Sequence, residues 1–140
     1  SDILNTLKAK HVMVVADSCY AGTLSVAAMP RVDESMPDDL QKEWIMAMSQ
    51  ARARTVLTSG GVAPVLDGGG DGHSVFSRAF LETLRNSDGI IEGHSVYRQV
   101  LNRVQTKARS LNVQQIPEYA PARYAGHEAG EFFFNPGTTI

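Results

Sequence analysis

The sequence predicts an α/β fold, a mainly parallel sheet flanked by helices, on three observations. Val12, Met13, Val14, Val15 and Ala16 form an apolar run with no polar alternation, the pattern of a strand covered on both faces. Apolar stripes at helical spacing separate that run from a second β-rich stretch at residues 54–59 (RTVLTS) and from a closing one at residues 131–135 (EFFFN). Strands joined through helices imply right-handed crossovers, which lay neighbouring strands parallel.

Between the strands, residues 23–39 carry Pro30, Pro37 and the acids Asp33, Glu34, Asp38 and Asp39, and read as an exposed loop. A helix follows over about residues 39–52, with Asp38 or Asp39 as its cap. Its Leu40, Trp44, Ile45 and Met48 share one face and are assigned to the core. Gly60 and Gly61 end the second strand, and residues 60–73 (GGVAPVLDGGGDGH) read as a long glycine-rich loop of the functional kind. Ser74 caps a helix to about Arg85, striped by Phe76, Phe80 and Leu84 and closed by Gly89. Another helix runs from Ser95 to about Leu111, with Tyr97, Val100, Leu101, Val104 and Ala108 on its buried face. Pro117 and Pro121 mark an extended segment.

The 140 residues fit one domain, and an apolar share of 43% supports a core without staples. Lys and Arg total 13 against 15 Asp and Glu, a net charge of −2, so nucleic acid is not an expected partner. There is no bilayer-length apolar run and no leader pattern, so no membrane partner is expected either. One cysteine excludes an internal disulfide and a cysteine-built metal site, which fits a cytoplasmic, reducing compartment. The chain opens on Ser1 rather than Met, and three strands fall below the usual sheet size. It is therefore expected to be a processed or trimmed piece that supplies only part of a sheet.

Sites in open parallel sheets form outside the carboxyl ends of the strands, and Cys19 lies just past the end of the first. Ala21, Gly22, Thr23 and Ser25 behind it let a substrate backbone come close. Main-chain N–H groups in such a turn favour a thiolate and can hold an oxyanion. A half-buried cysteine acting as a small hydrophobe fits the same position, and position alone leaves both open.

Asp17-Ser18-Cys19-Tyr20-Ala21-Gly22 resembles the nucleophile motif of caspase-like cysteine peptidases, specifically the Asp-Ser-Cys-x-x-Gly form of the metacaspase and bacterial caspase-like branches. It departs from the animal Q-A-C-x-G form. ARARTVLTSGG resembles the strand after the nucleophile, HSVFSRAFLETL the helix after the variable loop, and EYAPARYAGHEAGEFFFNP the end of such domains. The likeness runs over nearly the whole chain. It implies a three-layer caspase-like fold, with residues 1–140 as the C-terminal portion of one catalytic domain. It also implies a cysteine endopeptidase in which Cys19 is the nucleophile and its own N–H an oxyanion donor.

In the metacaspase-like branch the acid two residues before the cysteine sits in the pocket for the residue preceding the cut, and Asp17 matches it. A carboxylate there binds Arg or Lys and repels Asp, so cleavage after Arg or Lys is expected. The alternative is that Asp17 caps the turn after the strand. Arg31, in the loop where such precursors are often cut, is a candidate self-cleavage site, or else a solvated loop arginine. Ser59 and Gly60 are expected to offer main-chain contacts to an extended peptide.

The base is harder to place. The family's catalytic histidine precedes the cysteine by about fifty residues, and only 18 precede Cys19 here. His127, in YAGHEAG, mimics a Tyr-Ala-Gly-His-Gly signature with Glu128 in place of glycine, but matches a C-terminal segment and reads as structural. His11 starts the first strand at the end far from Cys19, His73 borders the glycine loop and His94 precedes a helix, and none takes the role. The expected partner is therefore an N-terminal fragment of the same precursor that carries the histidine and covers the exposed sheet edge.

No cofactor is expected. Asp67, Gly69, Asp71 and Gly72 echo part of a calcium loop, but Arg78 stands where its closing Glu belongs. DGGGDGHS lacks the Lys-Ser/Thr of a P-loop. Two rival readings remain, a non-catalytic caspase-like binding or regulatory domain and a nucleotide-binding α/β domain resting on the glycine loop.

Overall fold

The computed structural model describes residues 2–18, 37–60 and 67–135. The elements run α1 (Asp2–Thr6), β1 (His11–Ala16), α2 (Asp38–Gln50), β2 (Ala53–Thr58), β3 (Asp67–Gly70), β4 (His73–Ser74), α3 (Val75–Arg85), β5 (Ile91–Glu92), α4 (Gly93–Ser110), β6 (Glu118–Pro121) and β7 (Phe133–Phe134).

The molecule is α/β, but its main sheet is mixed rather than mainly parallel. Three strands lie in the order β1-β2-β6; β1 is parallel to β2, and β6 is antiparallel to it. The register explains the reversal. Glu118, the first residue of β6, pairs with Thr58, the last of β2, so the chain re-enters the sheet at the edge from which it left. Two helices, α3 and α4, fill the connection, and an even number of passes brings the chain back to its starting edge. The closing strand is not in this sheet: Phe133 and Phe134 pair antiparallel with Glu92 and Ile91.

The strand that reads as doubly covered is the edge strand. β1 is half-buried along its length, with Val15 40% exposed, whereas every residue of β2 is buried. Burial follows place in the sheet here, not hydropathy, because β2 lies between two neighbours and β1 has one among the described residues. Arg54, the one charged residue of β2, finds its partners locally. The buried Arg54 guanidinium donates through Nη1 to the carbonyls of Lys10 (2.8 Å) and Ala53 (3.2 Å). Its Nη2 donates to Leu7 (3.0 Å) and Ala9. A buried cation without such partners is strongly unfavourable. Arg54 thereby fixes the link from α1 into β1.

Alternation along the sheet sorts two cores. Leu57 and Tyr119 face α3 and α4 and pack with Val75, Phe76, Ala79, Val96, Val100 and Val104. Val56 faces the other way with Ala122 and Ala125, against Val14 and Leu4 of α1. Removing one large aliphatic or aromatic side chain from water stabilises by about 1.5–3 kcal/mol, so the α3–α4 face carries most of the packing. The helix α2 has no fully buried residue, and Leu40 is 52% exposed. The stripe assigned to the core is therefore only partly covered, chiefly through Trp44, whose ring meets Phe133 edge-on at 6.0 Å.

The glycine-rich stretch expected as a loop carries a hairpin at its end. Gly70 pairs with His73 across Asp71 and Gly72, both at positive φ (53° and 78°). That is the geometry of a two-residue type I′ turn, for which Asp-Gly is the preferred pair. Arg78 of α3 clamps the turn, reaching Asp71 at 3.1 Å and Glu82 at 2.8 Å. The turn acid thus already holds a cation.

Candidate functional site

The parallel pair β1–β2 ends at Ala16 and Thr58, which face each other in register. The chain leaving β1 presents Asp17 and Ser18, both exposed. The chain leaving β2 presents Ser59, fully buried. Ser59 N–H donates to Ala16 O at 3.0 Å, and its Oγ donates to Ser18 O at 3.4 Å. Its carbonyl accepts from Gln115 Nε2 at 3.1 Å. Both main-chain polar groups of Ser59 therefore have partners inside the fold. Gly60 is buried at φ +83°, and a Cβ there would stand 1.7 Å from Ile116 O. Only glycine allows the strand end to lie this close to the Ile116–Pro117 main chain. Ser59 and Gly60 lock the β2 terminus against the segment entering β6.

The carboxylate of Asp17 is tied to α3. Ser74 Oγ donates to Asp17 Oδ2 at 2.5 Å, and Ser77 Oγ donates to the same oxygen at 2.6 Å. Ser74 is also the N-cap of α3, its Oγ accepting from Ser77 N at 2.9 Å. The first turn of a helix favours a nearby negative charge. One serine caps the helix, two serines orient the acid, and the acid comes from a strand about sixty residues earlier in the sequence. The hydroxyl of Ser74 is legible as a cap, but the contact of Ser77 with Asp17 is not. A Ser-x-x-Ser at a helix start, facing an acid at a strand end, is the signal that would have pointed to it.

The histidines are spread. His11 Nε2 lies 3.0 Å from Ala51 O, and His127 Nδ1 accepts from Arg54 N at 3.1 Å. Both contacts lie at the opposite end of the β1–β2 pair from Asp17. At about 3.3 Å per strand residue, five or more residues separate them by roughly 17 Å or more. Burial pushes the His127 imidazole below its ordinary value, opposed by the carboxylate of Glu128. This keeps Nδ1 a proton acceptor, in keeping with a structural role. His94 packs against the rings of Tyr97 and Tyr119 at 5.7 and 6.2 Å, and Tyr119 pairs with Leu57, next to the carboxyl end of β2. His73 is exposed in β4, directly before Ser74.

Cys19 and Arg31 lie outside the described residues, as do most of loop 23–39 and Gly61. Among the described residues no group of three or more His, Asp or Glu is placed to hold a metal ion, and no helix is long and apolar enough to cross a membrane. Fold and strand-end geometry together define an α/β protein with a mixed sheet and an oriented acid at the carboxyl end of its parallel pair. No protein-family model, curated protein or solved structure matches the chain.

Proposed function

We propose that the chain is the nucleophile-bearing part of a caspase-like cysteine endopeptidase that cleaves after Arg or Lys. The observation that carries this reading is the placement of Asp17. It is exposed at the carboxyl end of a parallel strand pair, held by two hydroxyls, and two residues ahead of the only cysteine. Open α/β sheets place their sites at that end. In the proposed reaction the Cys19 thiolate attacks the carbonyl carbon of the residue before the cut, forming a C–S bond. The carbonyl oxygen becomes an oxyanion facing the Cys19 N–H. A histidine gives its proton to the departing amine as the C–N bond breaks, and water then hydrolyses the acyl-enzyme. Ser59 and Gly60 form the rigid floor beside the acid.

The histidine is assigned to an N-terminal partner from the same precursor. Two features support that partner. The engagement of His11 and His127 with main-chain groups at the far end of the sheet leaves neither available at Asp17. The apolar run of β1 is half-buried at the edge of the sheet formed by the described residues, and a further strand beside it would give the run the cover its composition calls for. Arg31 is the proposed point at which the precursor is cut. A second reading, a non-catalytic relative, draws on the same hydrogen bonds, since Asp17 also docks β1 to α3.

Labelling of the full natural protein by an arginyl chloromethyl ketone tests the proposal. Labelling at Cys19, and loss of Arg-peptide cleavage in a folded Cys19→Ala variant, are the expected results. An unlabelled Cys19 in protein that cleaves Arg peptides would overturn it.

A further inference from the structure

We propose that Ser74 and Ser77 are specificity-determining positioning residues that present one oxygen of Asp17 to the substrate's cation, so that Lys is accepted nearly as well as Arg. This rests on the peptidase reading above and adds to it a selectivity and the two residues that set it.

The geometry is specific. Both hydroxyls donate to Oδ2 of Asp17, at 2.5 and 2.6 Å, rather than one to each oxygen. An ionised carboxylate oxygen offers about two acceptor positions, so Oδ2 is filled by the pair. An incoming cation is left with Oδ1. The advantage of arginine over lysine at a carboxylate comes mainly from its planar fork, which makes two parallel bonds to two oxygens. With Oδ2 filled, that fork has one oxygen to engage, and guanidinium and ammonium each gain one charge-assisted bond. The serines cannot readily give way. Ser74 is fixed by its bond from Ser77 N at 2.9 Å, and Ser77 is carried on the first turn of α3. That helix is anchored by the buried Val75, Phe76 and Ala79.

The experiment is a comparison of kcat/KM on two peptides that differ only in Arg or Lys before the cut, using the full natural protein. The wild type is expected to favour Arg by no more than about threefold, one charge-assisted bond serving each cation. Ser77→Ala vacates a position on Oδ2 and should raise the Arg:Lys ratio about tenfold, the value of one further bond to a charged group. Ser77→Thr, which keeps the hydroxyl, should return the ratio to the wild-type value. Ser74→Ala should move the ratio in the same direction as Ser77→Ala. Because each ratio is taken within one variant, loss of folded protein cancels, and a merely structural role for the serines leaves it unchanged. A ratio unchanged in Ser77→Ala, or a wild type that already favours Arg more than a hundredfold, overturns the role of the serines while the peptidase reading stands. Absence of cleavage of either peptide by the wild type, or cleavage that persists in Cys19→Ala, overturns both.

Discussion

Replacing Tyr119 with Phe removes one hydroxyl from a buried pair and should produce a loss of stability whose size depends on pH. The Tyr119 phenol donates to Glu131 Oε1 at 2.5 Å, and the same oxygen accepts from Phe132 N at 2.7 Å. Tyr119 and Glu131 are only 9% and 4% exposed, so water does not substitute for a lost partner. Gly93 lies against both, a Cβ there falling 2.4 Å from the phenol oxygen. A hydrogen bond to a neutral acceptor contributes about 1 kcal/mol and one to a charged acceptor about 1.5–3 kcal/mol, so the expected loss rises from about 1 to about 2 kcal/mol as the Glu131 carboxyl ionises. With a urea slope of about 1–3 kcal/mol per molar, the midpoint should fall by roughly 1 M. Burial raises the Glu131 carboxyl above its ordinary value, while the bonds from Tyr119 and Phe132 oppose the shift. The folded state thus holds a proton that the unfolded state releases, and stability falls as pH rises through the raised value. Tyr119→Phe removes one of the opposing bonds, so the carboxyl rises further and the loss relative to wild type grows with pH. Burial, and next the Glu131 charge, hold the Tyr119 phenol well above the ordinary 10.0. Above that pH the wild type alone loses stability through the phenol, and the difference should narrow. Urea melts of both proteins across about pH 4 to 11, a range that takes in the ordinary carboxyl and phenol values, test this. A difference below about 0.5 kcal/mol, or one that does not vary with pH, would refute the account of a desolvated, phenol-supported carboxylate.

Three further outcomes are expected. His127→Asn keeps an acceptor for Arg54 N but removes the titration. The wild-type imidazole, held below 6.5 by burial, costs stability as pH falls below that value because only the unfolded state protonates readily. The variant should show a flatter acid limb in thermal melts, and an unchanged limb would count against it. Gly60→Ala puts a Cβ 1.7 Å from Ile116 O at φ +83°, and should cost about 2–5 kcal/mol in chemical denaturation. Asp17→Asn keeps acceptors for Ser74 and Ser77 but loses the charge, so kcat/KM on Arg peptides should fall about ten- to hundredfold while the melting temperature moves little; a large melting shift with unaltered cleavage would assign the acid to docking alone.

The helices, through their 3.6-residue stripes, and the strands, through their β-rich runs, were legible, because both patterns are properties of a single segment. The spans of β1, β2, α2, α3 and α4 agree with the pattern to within a few residues, and Ser74 caps α3 as its position predicts. What depends on neighbours was not legible. The direction of β6 follows from where α4 delivers the chain, and the cover over β1 from which strands stand beside it. Arg54 is buried in a central strand, although arginine is seldom fully buried, because it finds carbonyls contributed by residues 7–10. The hairpin β3–β4 was read as part of a loop, because its Asp71-Gly72 turn sits among other glycines. The site divides in the same way. Asp17 stands out through the Asp-Ser-Cys stretch, whereas the donors that orient it come from a distant helix.

The two roles open to Asp17 do not compete for the same atoms. Docking β1 to α3 uses Oδ2 alone and requires an acceptor, which a neutral amide also supplies. Attracting a cation uses the charge and the other oxygen. A carboxylate serving only as a strap would be as well placed in the interior, where a charge-assisted bond is stronger but its desolvation costs more. Asp17 is instead exposed at the strand end, with its orientation fixed by hydroxyls rather than by ion pairing with a lysine or arginine of the described residues. Neutral donors hold the acid without cancelling its charge. That combination of fixed direction and uncancelled charge suits the proposed recognition of a substrate cation, whereas docking draws on the charge only through the two hydroxyls and the first turn of α3.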